Sequence, residues 1–201
     1  MRVVRSVIVV VSAAALAACA HTTNVPLRPN FAAELKPGQA LANVSPAMTF
    51  VRGEYADRRP DPTRLAQFKQ GIHTYTLREE RPLADVLYEG LASVLTTSRQ
   101  RWGEGAGDIR VNLTFLNLSA ARNAGMVNVG ATASVQIKAD FVNAGNGNLI
   151  YSNVYSGSDE RSQAMVGGMG MVLSSIDAAI TRSIQSIADD AALAAALARP
   201  R

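Results

Sequence analysis

Cysteine, histidine and tryptophan are almost missing from this chain: its 201 residues include one Cys, two His and one Trp. A single Cys forms no internal disulfide, which excludes a disulfide-stapled scaffold. With the lone Cys committed elsewhere, as argued below, two His and scattered carboxylates do not assemble the three or four ligands of a zinc site. Nucleophilic catalysis has little imidazole to draw on as a base. Charged residues make up 18% and hydrophobic ones 48%, a balance that excludes a disordered acidic or basic tail protein. No apolar run reaches the roughly 20 residues that a membrane-spanning helix needs. Basic clusters are short, Arg58-Arg59 and Arg99-Gln100-Arg101-Trp102, and no aromatic-interleaved basic face accompanies them. Nucleic acid is therefore not an expected partner.

What is present begins at the N-terminus. Arg2 and Arg5 precede a segment, Val7 to Ala18, that is apolar except for Ser12. A charged start, a short apolar stretch and small residues at its end form a secretory signal. The stretch closes Leu16-Ala17-Ala18-Cys19, which resembles the bacterial lipobox, with cleavage between Ala18 and Cys19 and diacylation of the Cys19 thiol. The only Cys of the chain lies at the motif position. A single acyl chain holds a protein on a membrane marginally, whereas two or more anchor it stably. Ala20, where sorting resemblance puts Asp in retained lipoproteins, points to the outer membrane with the domain facing the periplasm, and away from the inner membrane. Removal of the signal takes Arg2 and Arg5 with it, so the formal charge falls from +4 to +2.

Three segments follow from composition: a signal peptide over 1–18, a lipidated tether over 19–42 and one periplasmic domain over 43–198. The tether carries Pro26, Pro29 and Pro37 with few apolar residues, although Leu27, Phe31 and Leu35 offer points for docking. Strands are expected over Ala47–Tyr55 and Gly71–Arg78, with Leu65–Gly71 ambiguous. The apolar spacing of Leu83, Val86, Leu87, Leu91, Val94 and Leu95 predicts a helix over Pro82–Gln100, stopped by Gly103. Gly90 inside it costs about 1 kcal/mol relative to Ala, a cost that close approach to a sheet would explain. Asp108–Leu118 alternates until Leu116 and Leu118 change parity, which signals a bulge or burial on both faces. The cleanest period of two runs from Val127 to Val142. A turn at Asn143–Asn148 then leads to a returning strand over Leu149–Gly157. A final helix is expected over Val172–Leu197, with Ser174 and Asp177 as a capping box. The fold class is α+β: a two-layer sandwich with an antiparallel sheet of about four to five strands, covered on one face by two helices.

Few residues carry chemistry. His73 sits on a weak strand and His21 in the tether. No cofactor or metal is expected, and no enzyme. Candidate binding residues are Arg58 and Arg59, in the turn after the first strand, which suit an anionic headgroup or a saccharide phosphate. Met165, Met169 and Met171 belong to the connector QAMVGGMGM, which lacks a phosphate-loop spacing but offers adaptable apolar side chains.

The lipobox, the turn Asp57-Arg58-Arg59, the helix PLADVLYEGLASVL, the strand DIRVNLTFLNL, the hairpin VNVGATASVQIKADFVNAGNGNLIYSNVYSG and the helix SSIDAAITRSIQSIADD together resemble the YajG family of bacterial lipoproteins. The resemblance covers about Asn43 to Leu197. It implies two helices over a sheet and brings no enzymatic residues with it. The expected function is a lipid-anchored, non-catalytic binding or structural module that meets an envelope protein or lipid. The alternative is an auxiliary lipoprotein that handles lipid or lipopolysaccharide for a transport system, which needs a large apolar pocket between sheet and helices. An envelope hydrolase built around His73 is the third reading.

Overall fold

The computed structural model describes residues 20–44, 47–70, 73–124, 128–164 and 168–199. In chain order its elements are β1 (Ala20–Val25), α1 (Phe31–Glu34), α2 (Gln39–Ala42), β2 (Thr49–Asp57), β3 (Ala66–Gln70) and β4 (His73–Glu79). There follow α3 (Leu83–Thr97), β5 (Arg101–Gly103), β6 (Ile109–Ala124), β7 (Asn128–Asn143), β8 (Leu149–Ala164), α4 (Met169–Ala188) and α5 (Ala191–Leu197).

The main sheet has five strands in the order β5-β2-β6-β7-β8 and is curled. Its β6-β7-β8 half is antiparallel, but β2 runs parallel to both β5 and β6. The expected antiparallel sheet is thus corrected to a mixed one. The reason is connectivity: β2 reaches β6 only after a long excursion through β3, β4 and α3, and such crossovers return a strand in parallel. A second sheet, β1-β4-β3, was not foreseen; β1 is parallel to β4 and β3 antiparallel to it.

Period-two patterning positions the core. Ala131, Val135, Ile137, Ala139 and Phe141 of β7 are fully buried beneath α4, which packs across β7 and β8 with α3 beside it. In β6, Val111, Leu113 and Phe115 face the same layer. A register shift between Phe115 and Asn117 then turns Leu118 and Ala120 inward, opposite Val135 and Ala133. The parity change in the sequence is therefore a bulge.

The helices differ from expectation at their ends. α3 stops at Thr97, where Ser98 Oγ donates to the Val94 carbonyl and Arg99 takes a left-handed φ of 64°. Gly103 lies beyond, inside β5. The single helix expected over Val172–Leu197 is two. α4 already begins at Met169, which leaves Ser174 and Asp177 inside the helix, and Asp190 caps α5 by accepting from the Ala192 and Leu193 amides at 2.9 and 3.1 Å. Its other oxygen accepts from Tyr151 and Tyr155 hydroxyls, both at 2.9 Å, and from Asn153 at 3.1 Å. Burial raises the Asp190 pKa, but the Leu193 amide, Asn153 and the two tyrosines together hold it below the usual carboxylate range.

Residues 20–44 are packed on the body from Ala20 onward, where the composition suggested a tether. Val25, Leu27, Phe31, Leu35, Leu41 and Val44 are all buried. Their polar backbone groups are met by side chains of the body, as buried ones must be. The Gly38 amide donates to Ser98 Oγ at 2.8 Å, the Lys36 amide to Gln185 at 2.8 Å, and Gln100 donates to the Leu41 carbonyl at 2.9 Å. Gly90 also finds its reason here. A Cβ at that position would lie 2.6 Å from the Phe31 ring, so α1, and not the sheet, is what approaches it.

Candidate functional site

Two open grooves flank the main sheet. One, of about 490 Å³, lies between α3 and the β5 edge and is lined by Arg52, Asp85, Tyr88, Glu89, Trp102 and Glu104, with Gly103 and Gly105 leaving room at one end. β2 supplies Arg52, and the guanidinium carbon sits 4.6 Å from the centre of the Tyr88 ring. That stack is fixed at both ends. Arg52 donates to Asp85 at 2.9 Å, and the Tyr88 hydroxyl donates to the carbonyls of Glu54 and Val111 at 2.8 and 3.1 Å. Burial pushes the Tyr88 hydroxyl up to about 12, so it stays a donor at neutral pH. The Trp102 ring stands 6.1 Å from the Tyr88 ring at 38°. Glu89 is paired with Arg81 at 2.7 Å. The result is an aromatic wall with a cation and carboxylates on its rim, a surface suited to recognition. In the sequence this surface is hidden, because Arg101-Trp102 reads as part of a basic cluster. The available signal was the only Trp of the chain set beside Gly103 and Gly105.

The second groove, of about 360 Å³, lies between β3 and the end of β6 that extends past β2, with Arg59, Arg64, Leu65, Gln67, Asn117 and Ser119 in its lining. Here the structure separates the pair that the sequence presented together. Arg58 is exposed, and its amide donates to the Phe115 carbonyl. Arg59 is 7% exposed. It grips Asp57 through Nε (3.0 Å) and Nη2 (2.6 Å), donates to the carbonyls of Pro62 and Arg64 at 3.1 Å each, and lies over the Phe115 ring at 5.1 Å. Almost all of its donors are committed within the turn, so Arg59 serves the fold first. Behind it, the Tyr55 hydroxyl and Glu79 Oε2 are buried and lack hydrogen-bond partners among the described residues. Burial raises the pKa of both.

The remaining candidates fall as follows. Met169 and Met171 open α4 and pack half-buried against the core; Met165, like Ala18 and Cys19, lies outside the described residues. His73 and His21 come together, with Nδ1 and Nε2 3.3 Å apart and the His21 ring stacked on Tyr75. Among the described residues no three His, Cys, Asp or Glu side chains gather closely enough to hold a metal ion. No helix of the described residues is long and apolar enough to cross a membrane.

Among solved structures, the fold is similar to protein XCC0632 from Xanthomonas campestris, with 9% identity, 86% of this chain and 96% of that one covered, and a TM-score of 0.59. Weaker likenesses include a minor lipoprotein from Acinetobacter baumannii (14% identity, 70% and 87% covered, TM-score 0.39). Another is a putative lipoprotein from Caulobacter crescentus (15% identity, 57% and 80% covered, TM-score 0.34). No curated protein matches. The family described as "Uncharacterized lipoprotein" matches residues 41–198. That span takes in both grooves, the main sheet and all three longer helical segments, so the chain belongs to this lipoprotein family, and with it to the lipid-anchored proteins of the cell envelope.

Proposed function

We propose that the protein is an outer-membrane lipoprotein of the YajG type, anchored through acyl chains on Cys19 and facing the periplasm. Its domain is a non-catalytic recognition module that holds an envelope partner in the Arg52–Trp102 groove. The observation that carries this reading is the groove's chemistry. Tyr88, Trp102 and Arg52 form a preorganised stacked surface, while Asp85 and Glu89 are each neutralised by an arginine within 3 Å. Paired carboxylates are poor general bases, whereas a fixed aromatic and guanidinium surface is a good contact.

The transport-auxiliary alternative finds less support. Between sheet and helices, Phe115, Ile137, Phe141, Ile176, Ile180 and Ile184 are each 0% exposed, so the space that a carried lipid would need is filled by side chains.

Because Trp102 is the only Trp in the chain, its fluorescence reports on the groove directly. Purified protein titrated with peptidoglycan fragments, lipopolysaccharide and candidate envelope proteins is expected to show a saturable shift in Trp102 emission with one of these classes. Arg52→Ala should weaken it about tenfold. If none of the classes changes the emission, the groove is not the binding surface.

A further inference from the structure

A flexible segment of 24 residues (19–42) would let the domain wander roughly 27 Å from its anchor. No such slack exists. Cys19 is bonded to Ala20, and Ala20 is already the first residue of β1, in register with Thr74 of β4. An acyl anchor on Cys19 would therefore be joined one residue from the edge strand of the small sheet. A membrane that held such an anchor would be a neighbour of that sheet.

The two faces of the sheet differ. Phe68, Leu77 and Ala66 share one face and are buried towards the body. On the other, register brings together Ala20, Thr22 and Asn24 with Thr74, Thr76 and Arg78, and these with Gln67 and Lys69. The face holds hydroxyls, two amides, two cations and the methyl group of Ala20, and none of its described sheet residues is a carboxylate. Asp61, which senses Arg78, is already bound by the Thr63 hydroxyl at 2.7 Å and by Arg64 at 3.5 Å. Donors and positive charge without a large apolar side chain match a layer of lipid phosphates, not its hydrocarbon.

Building on the reading of Cys19 as the lipidated residue, we propose that this outer face of the β1-β4-β3 sheet lies on the phospholipid headgroups of the leaflet that holds the Cys19 acyl chains. The domain is then held in one orientation by the anchor and the sheet together. Lys69 and Arg78 supply the attraction, and the threonines and Gln67 supply hydrogen bonds to phosphate oxygens.

The test uses the full mature lipoprotein in vesicles of phosphatidylethanolamine and phosphatidylglycerol. A photoreactive residue is placed by Thr22→benzoylphenylalanine or Gln67→benzoylphenylalanine, and by Asn146→benzoylphenylalanine in the β7–β8 hairpin as control. Lipid adducts are expected at the first two positions and not at the third. Inserting about a dozen Gly and Ser residues between Cys19 and Ala20, or combining Lys69→Glu with Arg78→Glu, should remove the adducts while the protein stays vesicle-bound and keeps its circular dichroism. Equal labelling at Asn146, or adducts that survive both changes, overturns the proposal and leaves the anchor intact. If the unaltered protein washes off the vesicles as a signal-free, unacylated chain beginning at Ala20 does, the lipidation reading fails, and this proposal with it.

Discussion

Arg59→Met is expected to destabilise the protein by about 2–4 kcal/mol, while Arg58→Met next to it changes stability by less than about 0.5 kcal/mol. The difference follows from burial. The Arg58 side chain is in water, whereas that of Arg59 is 4% exposed and its partner Asp57 16%. Removing the guanidinium leaves the Asp57 carboxylate without its bidentate partner and frees two carbonyls, Pro62 and Arg64, that it had satisfied. It also leaves Glu79 facing Asp57 without the cation that offsets both. The lower end of the range applies if water enters from the adjoining groove. Urea unfolding is the measurement, with a lower midpoint for Arg59→Met at an unchanged slope. Equal midpoints for the two variants would mean that the Asp57–Arg59 clamp contributes nothing to the fold.

Gly157→Ala carries the second large effect, about 3 kcal/mol or more. Gly157 lies on β8 where α4 crosses it. A Cβ there would be 2.5 Å from the Ser183 amide nitrogen and closer still to the Ala179 carbonyl oxygen. Both are backbone atoms of one helix, so no side chain can swing away, and α4 has to lift off the sheet. That helix contributes Val172, Ile176, Ile180, Ile184 and Ile187 to the core, which is why a single methyl group is costly. Gly168→Ala is the control. Nothing lies within 4 Å of a Cβ at Gly168, which is the N-cap of α4, so its cost should stay near the roughly 1 kcal/mol of a weakened helix cap. Thermal melts of the two variants separate the outcomes; a Gly157→Ala protein that melts like the parent would show that β8 and α4 are not in close contact.

Much of this architecture is written in local patterns. β7 was legible because eight alternating residues leave one reading of the sheet face. The bulge in β6 was legible as a change of parity at Leu116. The stripe from Leu83 to Leu95 gave α3. Other elements were hidden because their signals are tertiary. Leu27, Phe31 and Leu35 fall four residues apart, but Pro26, Pro29 and Pro37 interrupt any helix that this spacing would announce, and the docking of this segment depends on Gly90, Ser98 and Gln100 far along the chain. The break between α4 and α5 turns on Asp190, whose capping role needs Tyr151 and Tyr155 from β8.

The site was less legible than the fold. Charge in a turn drew attention to Arg58 and Arg59, yet one is solvated and the other is committed to Asp57. The Trp102 groove is assembled from β2, α3, β5 and the turn after it, residues 52 to 105. No spacing rule links such positions; they meet only because α3 lies beside the parallel β5-β2 edge.

The anchor at Cys19 fixes where the domain sits, and the mass of the mature N-terminal peptide tests it most directly. Protein extracted from envelopes and digested with protease should yield a peptide that begins at Cys19 and carries a diacylglycerol-sized addition. Cys19→Ser should accumulate with its signal still attached. A mature chain beginning at any other residue, or an unmodified Cys19 at its start, would contradict lipid anchoring at this position and the placement of the domain that follows from it.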